Sequence, residues 1–287
     1  MIETLKSAFR KAREKLADRG IGSAALDAEV LLSHVTGLER AALYMEWERP
    51  LQNDEAAQYN DLICRRLSGE PVAYITGHKE FMGLDFFISR FVLIPRPETE
   101  LLVENALKIL PSSPVVIDVG TGSGAIAVSL AFYNREALVY ATDRSGEALE
   151  VARRNAIKYC VSDRLFLYHG DLLQPLKGLL MAGQVDLIAA NLPYIAEPDL
   201  PALPGEVRMF EPHLALNGGE DGLEHYRRLV PEAEAFLKKG GFLLMEIGCE
   251  QGRAAASLFD AQVWEAKVLL DLAGHDRLVV AKFNGYR

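Results

Sequence analysis

The spacing of apolar positions changes character along the chain. Near the start they recur every three to four residues. Leu5, Phe9, Ala12 and Leu16 are separated by Lys and Arg, the pattern of an amphipathic helix, and Gly20 closes it. Ser23 stands where it can cap a second helix carrying Ala28, Leu31, Leu32 and Val35, which stops at Gly37. A shorter segment covers 39–47 and ends before Pro50. Asn53 then caps a fourth helix through Leu62, Ile63 and Leu67 to Gly69. These elements predict a small helical bundle over residues 1–75. Pro71 to Gly77 breaks the helical pattern, and the aromatic-rich stretch 81–88, with Gly83, reads as a short hairpin. Residues 76–98 form a connector to a larger domain over 99–287.

Beyond residue 115 short apolar runs alternate with helical segments. A strand over 115–119 enters Gly120-Thr121-Gly122-Ser123-Gly124, then a helix begins at Ala125. A strand over 137–142 ends at Asp143, and a helix over 146–159 follows. A strand over 165–168 precedes Gly170-Asp171-Leu172, and the strand over 185–190 runs into Asn191-Leu192-Pro193-Tyr194. Residues 195–222 are long for a connection and hold several Pro and Gly, as lids and binding loops do. A helix over 222–239, ended by Gly240-Gly241, leads to a strand over 242–247 and a helix over 251–259. Two last strands, 264–270 and 277–283, form an antiparallel hairpin. The alternation predicts an α/β domain on a largely parallel sheet.

Composition narrows the class. With 287 residues, 49% hydrophobic and 25% charged, the chain reads as a soluble globular protein of one or two domains. No apolar run approaches the ~20 residues of a membrane span. The opening Met1-Ile2-Glu3-Thr4-Leu5-Lys6 lacks a signal-peptide pattern, so a cytoplasmic location is expected. Cys64, Cys160 and Cys249 are odd in number, distant and without a CxxC pair, which argues against disulfides and zinc and suits small core residues. A net charge of −9 disfavours stable nucleic-acid binding. The front module, with ten Lys/Arg and twelve Asp/Glu, is no basic arm. It reads either as a docking module for a macromolecular substrate or as packing alone.

The candidate chemistry sits at predicted strand ends, where ligands bind in open α/β sheets. A strand, a glycine loop (Gly120, Thr121, Gly122, Ser123, Gly124) and a helix start make a nucleotide-binding turn. Asp143, about 20 residues on, is placed to take both ribose hydroxyls. The glycine spacing is G-x-G-x-G, not the G-x-G-x-x-G that cradles a pyrophosphate. Asp171 and Leu172 either lie against a purine, the acid accepting from its amino group and the apolar neighbour covering the ring, or form a turn or helix cap. Asn191-Leu192-Pro193-Tyr194 has two readings as well. It is a pocket gripping a planar amide or amine, or an ordinary strand-to-loop turn. Arg96, between Pro95 and Pro97, either steers an acidic group or pairs with the neighbouring Glu98 and Glu100, the simpler arrangement. Glu211-Pro212-His213 is a candidate site wall, with His213 read as structural rather than as a base; His34 is read the same way.

The glycine loop resembles the S-adenosylmethionine loop of Rossmann-like methyltransferases, and the Asn191 stretch resembles the tetrad of those that modify planar nitrogens. Adding Pro71-Val72-Ala73-Tyr74-Ile75-Thr76-Gly77, Ile94-Pro95-Arg96-Pro97-Glu98-Thr99-Glu100 and Glu246-Ile247-Gly248, the chain over nearly its full length resembles the release factor glutamine methyltransferase family (PrmC/HemK). The proline-arginine connector is the specific part. The resemblance implies a class I seven-stranded sheet behind an N-terminal helical bundle. It implies transfer of a methyl group from S-adenosyl-L-methionine to the Gly-Gly-Gln glutamine of class I peptide chain release factors, without a metal. Cofactor contacts would come from Gly120, Thr121, Gly122, Ser123, Gly124, Asp143, Asp171, Leu172 and Asn191. Asn191 and the Leu192 carbonyl would accept the two amide N–H groups, with Pro193 and Tyr194 completing the catalytic and substrate-binding tetrad and Tyr194 packing near substrate or cofactor. Leu192 departs from the family's Pro at that place, which implies a loss of ring stiffness. A glutamine methyltransferase of a ribosomal protein and an N6-adenine nucleic-acid methyltransferase are the alternatives.

Overall fold

In the computed structural model, which describes residues 3–179 and 182–286, the front periodicity is met by helices Leu5–Asp18, Ala24–Thr36, Arg40–Met45 and Asn53–Leu67. Met1 and Ile2 of the opening motif lie outside the described residues. Leu5, Leu16, Leu31, Leu32 and Leu43 are fully buried and form one core. Thr4 caps the first helix reciprocally with Ser7, an arrangement typically worth ~1 kcal/mol.

Three local expectations are corrected. Ser23 does not cap the second helix; its Oγ donates to the Asp27 carboxylate. The fourth helix is capped by Gln52, one residue before Asn53, in a box with Glu55. Pro71 starts a helix, Val72–Thr76, instead of ending the helical pattern, because it occupies the N-cap where no N–H is needed.

The chain divides into two units, Met1–His78 with Pro204–Phe210, and Lys79–Leu203 with Glu211–Arg287. The first unit thus takes in a piece of the long segment. That segment is not a plain loop: it holds 3-10 turns Glu197–Ala202 and His213–Ala215 around a helix, Gly205–Phe210. Within the first unit, Arg66 donates to Asp27 at 2.7 Å and to Glu206 at 3.0 Å, so one guanidinium joins three elements distant in sequence.

The strands are β1 (His78–Phe81), β2 (Leu84–Phe87), β3 (Val115–Val119), β4 (Leu138–Asp143), β5 (Leu165–His169), β6 (Val185–Ala190), β7 (Leu237–Glu246), β8 (Trp264–Leu270) and β9 (Asp276–Phe283). β1 and β2 pair as a hairpin that begins three residues before the expected stretch 81–88, at His78. The other seven form one sheet in the order β5-β4-β3-β6-β7-β9-β8. β3 to β7 run parallel, and β9 is antiparallel to both β7 and β8. The expected seven-stranded α/β sheet with its closing hairpin is therefore present. Buried on both faces, β3 and β6 need the continuous apolar runs that mark them in sequence.

β7 corrects the helix expected over 222–239. The helix is Glu224–Glu234, and residues 237–241 belong to the sheet, Leu237 pairing with Val185. Gly240-Gly241 lies in an irregularity of register instead of capping a helix. A Cβ at Gly241 would lie 3.1 Å from the carbonyl oxygens of Val185 and Asp186, which is why a side chain is absent there. The helix expected over 251–259 shortens to Gly252–Ala256. The three cysteines are exposed, not core residues; Cys160, for instance, sits at φ 54° in the turn after helix Gly146–Lys158. No helix among the described residues is long and apolar enough to cross a membrane.

Candidate active site

Strand order decides where the site can be. From β3 the chain adds β4 and β5 on one side, then returns to place β6 on the other. The loops leaving β3 and β6 therefore diverge at a topological switch point, the crevice where such sheets bind ligands. The loop after β3 is Gly120–Gly124 and the loop after β6 begins at Asn191. Both line one cavity of about 280 Å³, with Asp143, Asp171, Leu172, Thr99 and Pro193 among its walls.

The glycine loop is held from three directions. Gly120 and Thr121 N–H donate to the Thr142 carbonyl at 2.9 and 3.0 Å, Gly122 N–H to Asp143 Oδ2 at 2.8 Å, and Gly124 N–H to the Thr121 carbonyl. These amides are consumed inside the protein. A loop built to cradle a pyrophosphate would point them at the ligand. Glycine is required at 120, where φ is +74° and a Cβ would meet Leu192 Cδ2 at 2.8 Å. This contact also brings the two loops together.

Two carboxylates anchor the loop. Asp118, fully buried, accepts from Thr121 Oγ1 at 2.7 Å and Ala127 N–H at 3.2 Å, while its Oδ1 has no hydrogen-bond partner. Burial pushes its pKa up to about 7. Asp143 accepts from Gly122 and Ser145 N–H, each at 2.8 Å, and burial raises its pKa against those hydrogen bonds. Asp143 lines the cavity, and each of its oxygens has lone-pair capacity beyond that one bond, which suits a diol.

Asp171 pairs with Arg228 and lies 3.7 Å from Arg144 Nε. Asn191 donates its Nδ2 to Thr99 Oγ1 at 3.1 Å. Leu192 N–H donates to the Tyr226 hydroxyl at 3.1 Å, and that hydroxyl donates to the Glu246 carbonyl. A proline at 192 would have no N–H to give. The Leu192–Tyr226 bond restrains the same backbone that a ring would stiffen, so the expected loss of stiffness is offset.

Tyr194 is not among the residues lining the cavity. Its ring is partly buried against the sheet core and its hydroxyl donates to Glu246 Oε1 at 3.3 Å. Burial, then the Glu246 charge, raises its pKa well above the ordinary phenol value. Arg96 pairs with buried Glu211, 115 residues away, and not with Glu98 or Glu100. Of Glu211-Pro212-His213, only Pro212 lines the cavity.

Sequence reasoning missed four supporting residues. Tyr226 and Asn155 are buried polar groups in helices that looked merely amphipathic. Asn155 donates to the carbonyls of Ser123 (2.8 Å) and Phe87 (3.0 Å) and accepts from Phe87 N–H, tying the glycine loop to β2. Thr99 and Glu246 stood inside motifs without an assigned role. The one available signal was a polar residue at an apolar position of the pattern, as at Glu246 after Phe242-Leu243-Leu244-Met245. No cluster of three or more potential metal-ligating side chains occurs among the described residues.

Comparison with known proteins agrees with this architecture. Residues 7–77 match the PrmC N-terminal domain family and residues 111–274 a methyltransferase domain family. The release factor glutamine methyltransferase of Moorella thermoacetica is 46% identical over 282 residues, covering 97% of this chain and 98% of its own. That of Nitratidesulfovibrio vulgaris is 42% identical over 285 residues, covering 98% and 96%. Among solved structures, a methyltransferase from Pyrococcus furiosus superposes with a TM-score of 0.53 at 19% identity, covering 79% of this chain and all of the other, a likeness of fold.

Proposed function

The chain belongs to the release factor glutamine methyltransferase family, and from that premise we propose that it methylates the side-chain nitrogen of the Gly-Gly-Gln glutamine of class I peptide chain release factors, with S-adenosyl-L-methionine as donor. The observation that carries this reading is the convergence of Asn191 and the glycine loop on one cavity at the switch point. A loop in which the Gly120, Thr121, Gly122 and Gly124 amides are already bonded, next to an acid with lone-pair capacity to spare, suits a nucleoside without phosphates.

S-adenosyl-L-methionine, when bound, supplies an electrophilic methyl group on a sulfonium. The amide nitrogen is a weak nucleophile because its lone pair is delocalised into the carbonyl. Asn191 Oδ1 and the Leu192 carbonyl accept its two N–H groups and orient the lone pair. Orientation of this kind supplies up to roughly 7–11 kcal/mol in ideal cases. The same acceptors favour the positive charge that grows on nitrogen during attack. With the cofactor held there, the amide nitrogen would take the methyl carbon as the carbon–sulfur bond breaks, and the surplus proton would leave to water. Gly120, Thr121, Gly122, Ser123 and Gly124 shape the cofactor wall, Asp143 takes the ribose, and Asp171 with Leu172 flanks the base. The helical module docks the protein substrate; its exposed Leu26, Tyr44 and Met45 support that role. The reaction takes place in the cytoplasm, where translation terminates.

The test is methyl transfer to a purified class I release factor, to the same factor with its Gly-Gly-Gln glutamine replaced, and to a ribosomal protein, read by peptide mass. Methylation of the intact factor alone is expected. Undiminished methylation of the substituted factor, or preference for the ribosomal protein, overturns the assignment.

A further inference from the structure

The Asn191–Tyr194 tetrad leaves the sheet through a collar made of one turn and one side chain. The turn is the stretch 216–222, just before helix Glu224–Glu234. Ile195 N–H donates to the Leu216 carbonyl at 3.2 Å, Gly218 N–H to the Ile195 carbonyl at 2.8 Å, and Glu197 N–H to the Gly219 carbonyl at 2.8 Å. The turn lies so close to the tetrad that it has no room for side chains. A Cβ at Gly218 would stand 2.7 Å from the Pro193 carbonyl oxygen, and one at Gly222, where φ is +78°, would run into that of Tyr194. Gln251 completes the collar. Its Nε2 donates to the Tyr194 carbonyl at 2.9 Å, and its Oε1 accepts from Gly248 N–H at 2.8 Å. Gly248 ends the Glu246-Ile247-Gly248 motif, which the proposed chemistry leaves without a role.

The bonds fall on either side of one group and spare it. Leu192 N–H is held by the Tyr226 hydroxyl, and the Tyr194 carbonyl by Gln251. Between them the Leu192 carbonyl accepts no hydrogen bond among the described residues, although Leu192 is only 5% exposed and lines the cavity. Backbone carbonyls of buried residues are ordinarily bonded, so a bare one beside a cavity is suited to a partner from outside. Its direction depends on the peptide groups that flank it. One is anchored through the Leu192 N–H, the next has the fixed φ of Pro193, and the one after is anchored through the Tyr194 carbonyl. We propose that Gln251, with Gly218 and Gly222 as its close-packed counterpart, is a positioning residue that aims the Leu192 carbonyl at the nitrogen to be methylated. This rests on the reading of that carbonyl as an acceptor of the substrate amide.

The residue type matters as much as the place. Gln251 donates to one backbone group and accepts from another, and its Nε2 also lies 3.5 Å from the Asp221 carbonyl. Only a side-chain amide of this length meets all three. A glutamate of the same shape keeps the acceptor for Gly248, loses the donor, and sets a charged oxygen against two carbonyls. The collar also borders the cavity directly: His225, one of its lining residues, meets the Asn217 carbonyl through Nε2 at 3.2 Å.

Gln251→Glu, Gly222→Ala and Gly274→Ala separate positioning from packing. Gly222→Ala pushes on the Tyr194 carbonyl. Gly274 has a similar φ of +83° but nothing within 4 Å of an added Cβ, so Gly274→Ala carries the backbone cost alone. With a release factor as substrate, kcat should fall about 10- to 100-fold in Gln251→Glu and Gly222→Ala, as small misplacements of reacting groups do. KM should stay within about threefold, and Gly274→Ala should keep wild-type kcat. Binding of S-adenosyl-L-methionine by calorimetry should stay within about threefold throughout, which also reports correct folding. Wild-type kcat in Gln251→Glu, or equal losses in Gly222→Ala and Gly274→Ala, overturns the proposal. A second readout needs no substrate. Hydrogen exchange at the Leu192, Tyr194 and Ile195 amides should quicken in Gln251→Glu and Gly222→Ala and not in Gly274→Ala. Unchanged exchange sinks the collar and leaves the substrate assignment intact. Failure of the wild type to methylate the release factor sinks that assignment and leaves exchange to decide the collar.

Discussion

In the helical module the deeply buried charges are paired. Arg66 and Asp27 have side chains 8% exposed, lie 2.7 Å apart, and Glu206 adds a second carboxylate. In the sheet domain Asp118 and Glu246 are buried as deeply, yet neither forms an ion pair among the described residues, and each keeps one oxygen without a hydrogen-bond partner. Their pKa values rise to about 7 because burial disfavours the charged form. Pairing in the first region joins helices that local periodicity cannot join. Leaving carboxylates unpaired in the second costs stability; Asp118 stands directly behind Thr121, which lines the cavity, and Glu246 accepts from Tyr194. Perturbed titration of this kind clusters at functional sites.

The contrast can be broken at its strongest point first. Arg66→Ala leaves Asp27 buried without its cation and should destabilise the protein by about 3–5 kcal/mol. Denaturant titration measures this, and affinity for S-adenosyl-L-methionine should change less than about threefold, since the module carries no cofactor contact. A stability loss within the error of the wild type would mean the pair is solvated in solution. Asn191→Ala reverses the pattern. Turnover should drop about 10²- to 10³-fold, as when one preorganised transition-state partner is removed, with the unfolding midpoint nearly unchanged. Normal turnover in that variant removes Asn191 from the mechanism.

Asp143→Ala should act on cofactor affinity. Loss of a charged hydrogen-bonding group costs about 1.5–3 kcal/mol, or roughly 10- to 100-fold in Kd by calorimetry; an unaltered Kd would show that the ribose is held elsewhere. The last effect is a slope. Between the ordinary carboxylate range and about pH 7, folded Asp118 holds a proton that the unfolded chain has released, so its contribution to stability falls as pH rises across that window and levels off above it. Asp118→Asn keeps an acceptor for Thr121 and Ala127 and should flatten the slope in thermal melts from pH 5 to 8. Equal slopes in both proteins would place the titration elsewhere.

Much of the site was legible from short motifs, because a glycine loop, an acid at the next strand end and an Asn-x-Pro-Tyr stretch each encode local backbone demands. Their limits are instructive. Tyr194 belongs to the motif, yet its hydroxyl reaches Glu246 and its ring packs against the sheet core. Arg96 looked complete beside two glutamates, but the fold supplies Glu211 instead. The cysteines looked like core residues because their type is usually buried, while the helices and turns that carry them turn those positions outward.

Sequence alone determined the two regimes of periodicity, the seven strands, the glycine loop and the amide at the end of β6. These follow from interactions within a few residues: the helix and strand repeats, the positive φ of glycine, and continuous apolar runs for strands buried on both faces. Only the tertiary structure decided that residues 237–241 join the sheet, that Tyr226 restrains Leu192, and that Thr99 meets the Asn191 amide. Each of these is a bond between groups 34 to 92 positions apart or a strand pairing of similar reach. No periodicity can announce such a bond, because its partners meet only after the sheet order is set.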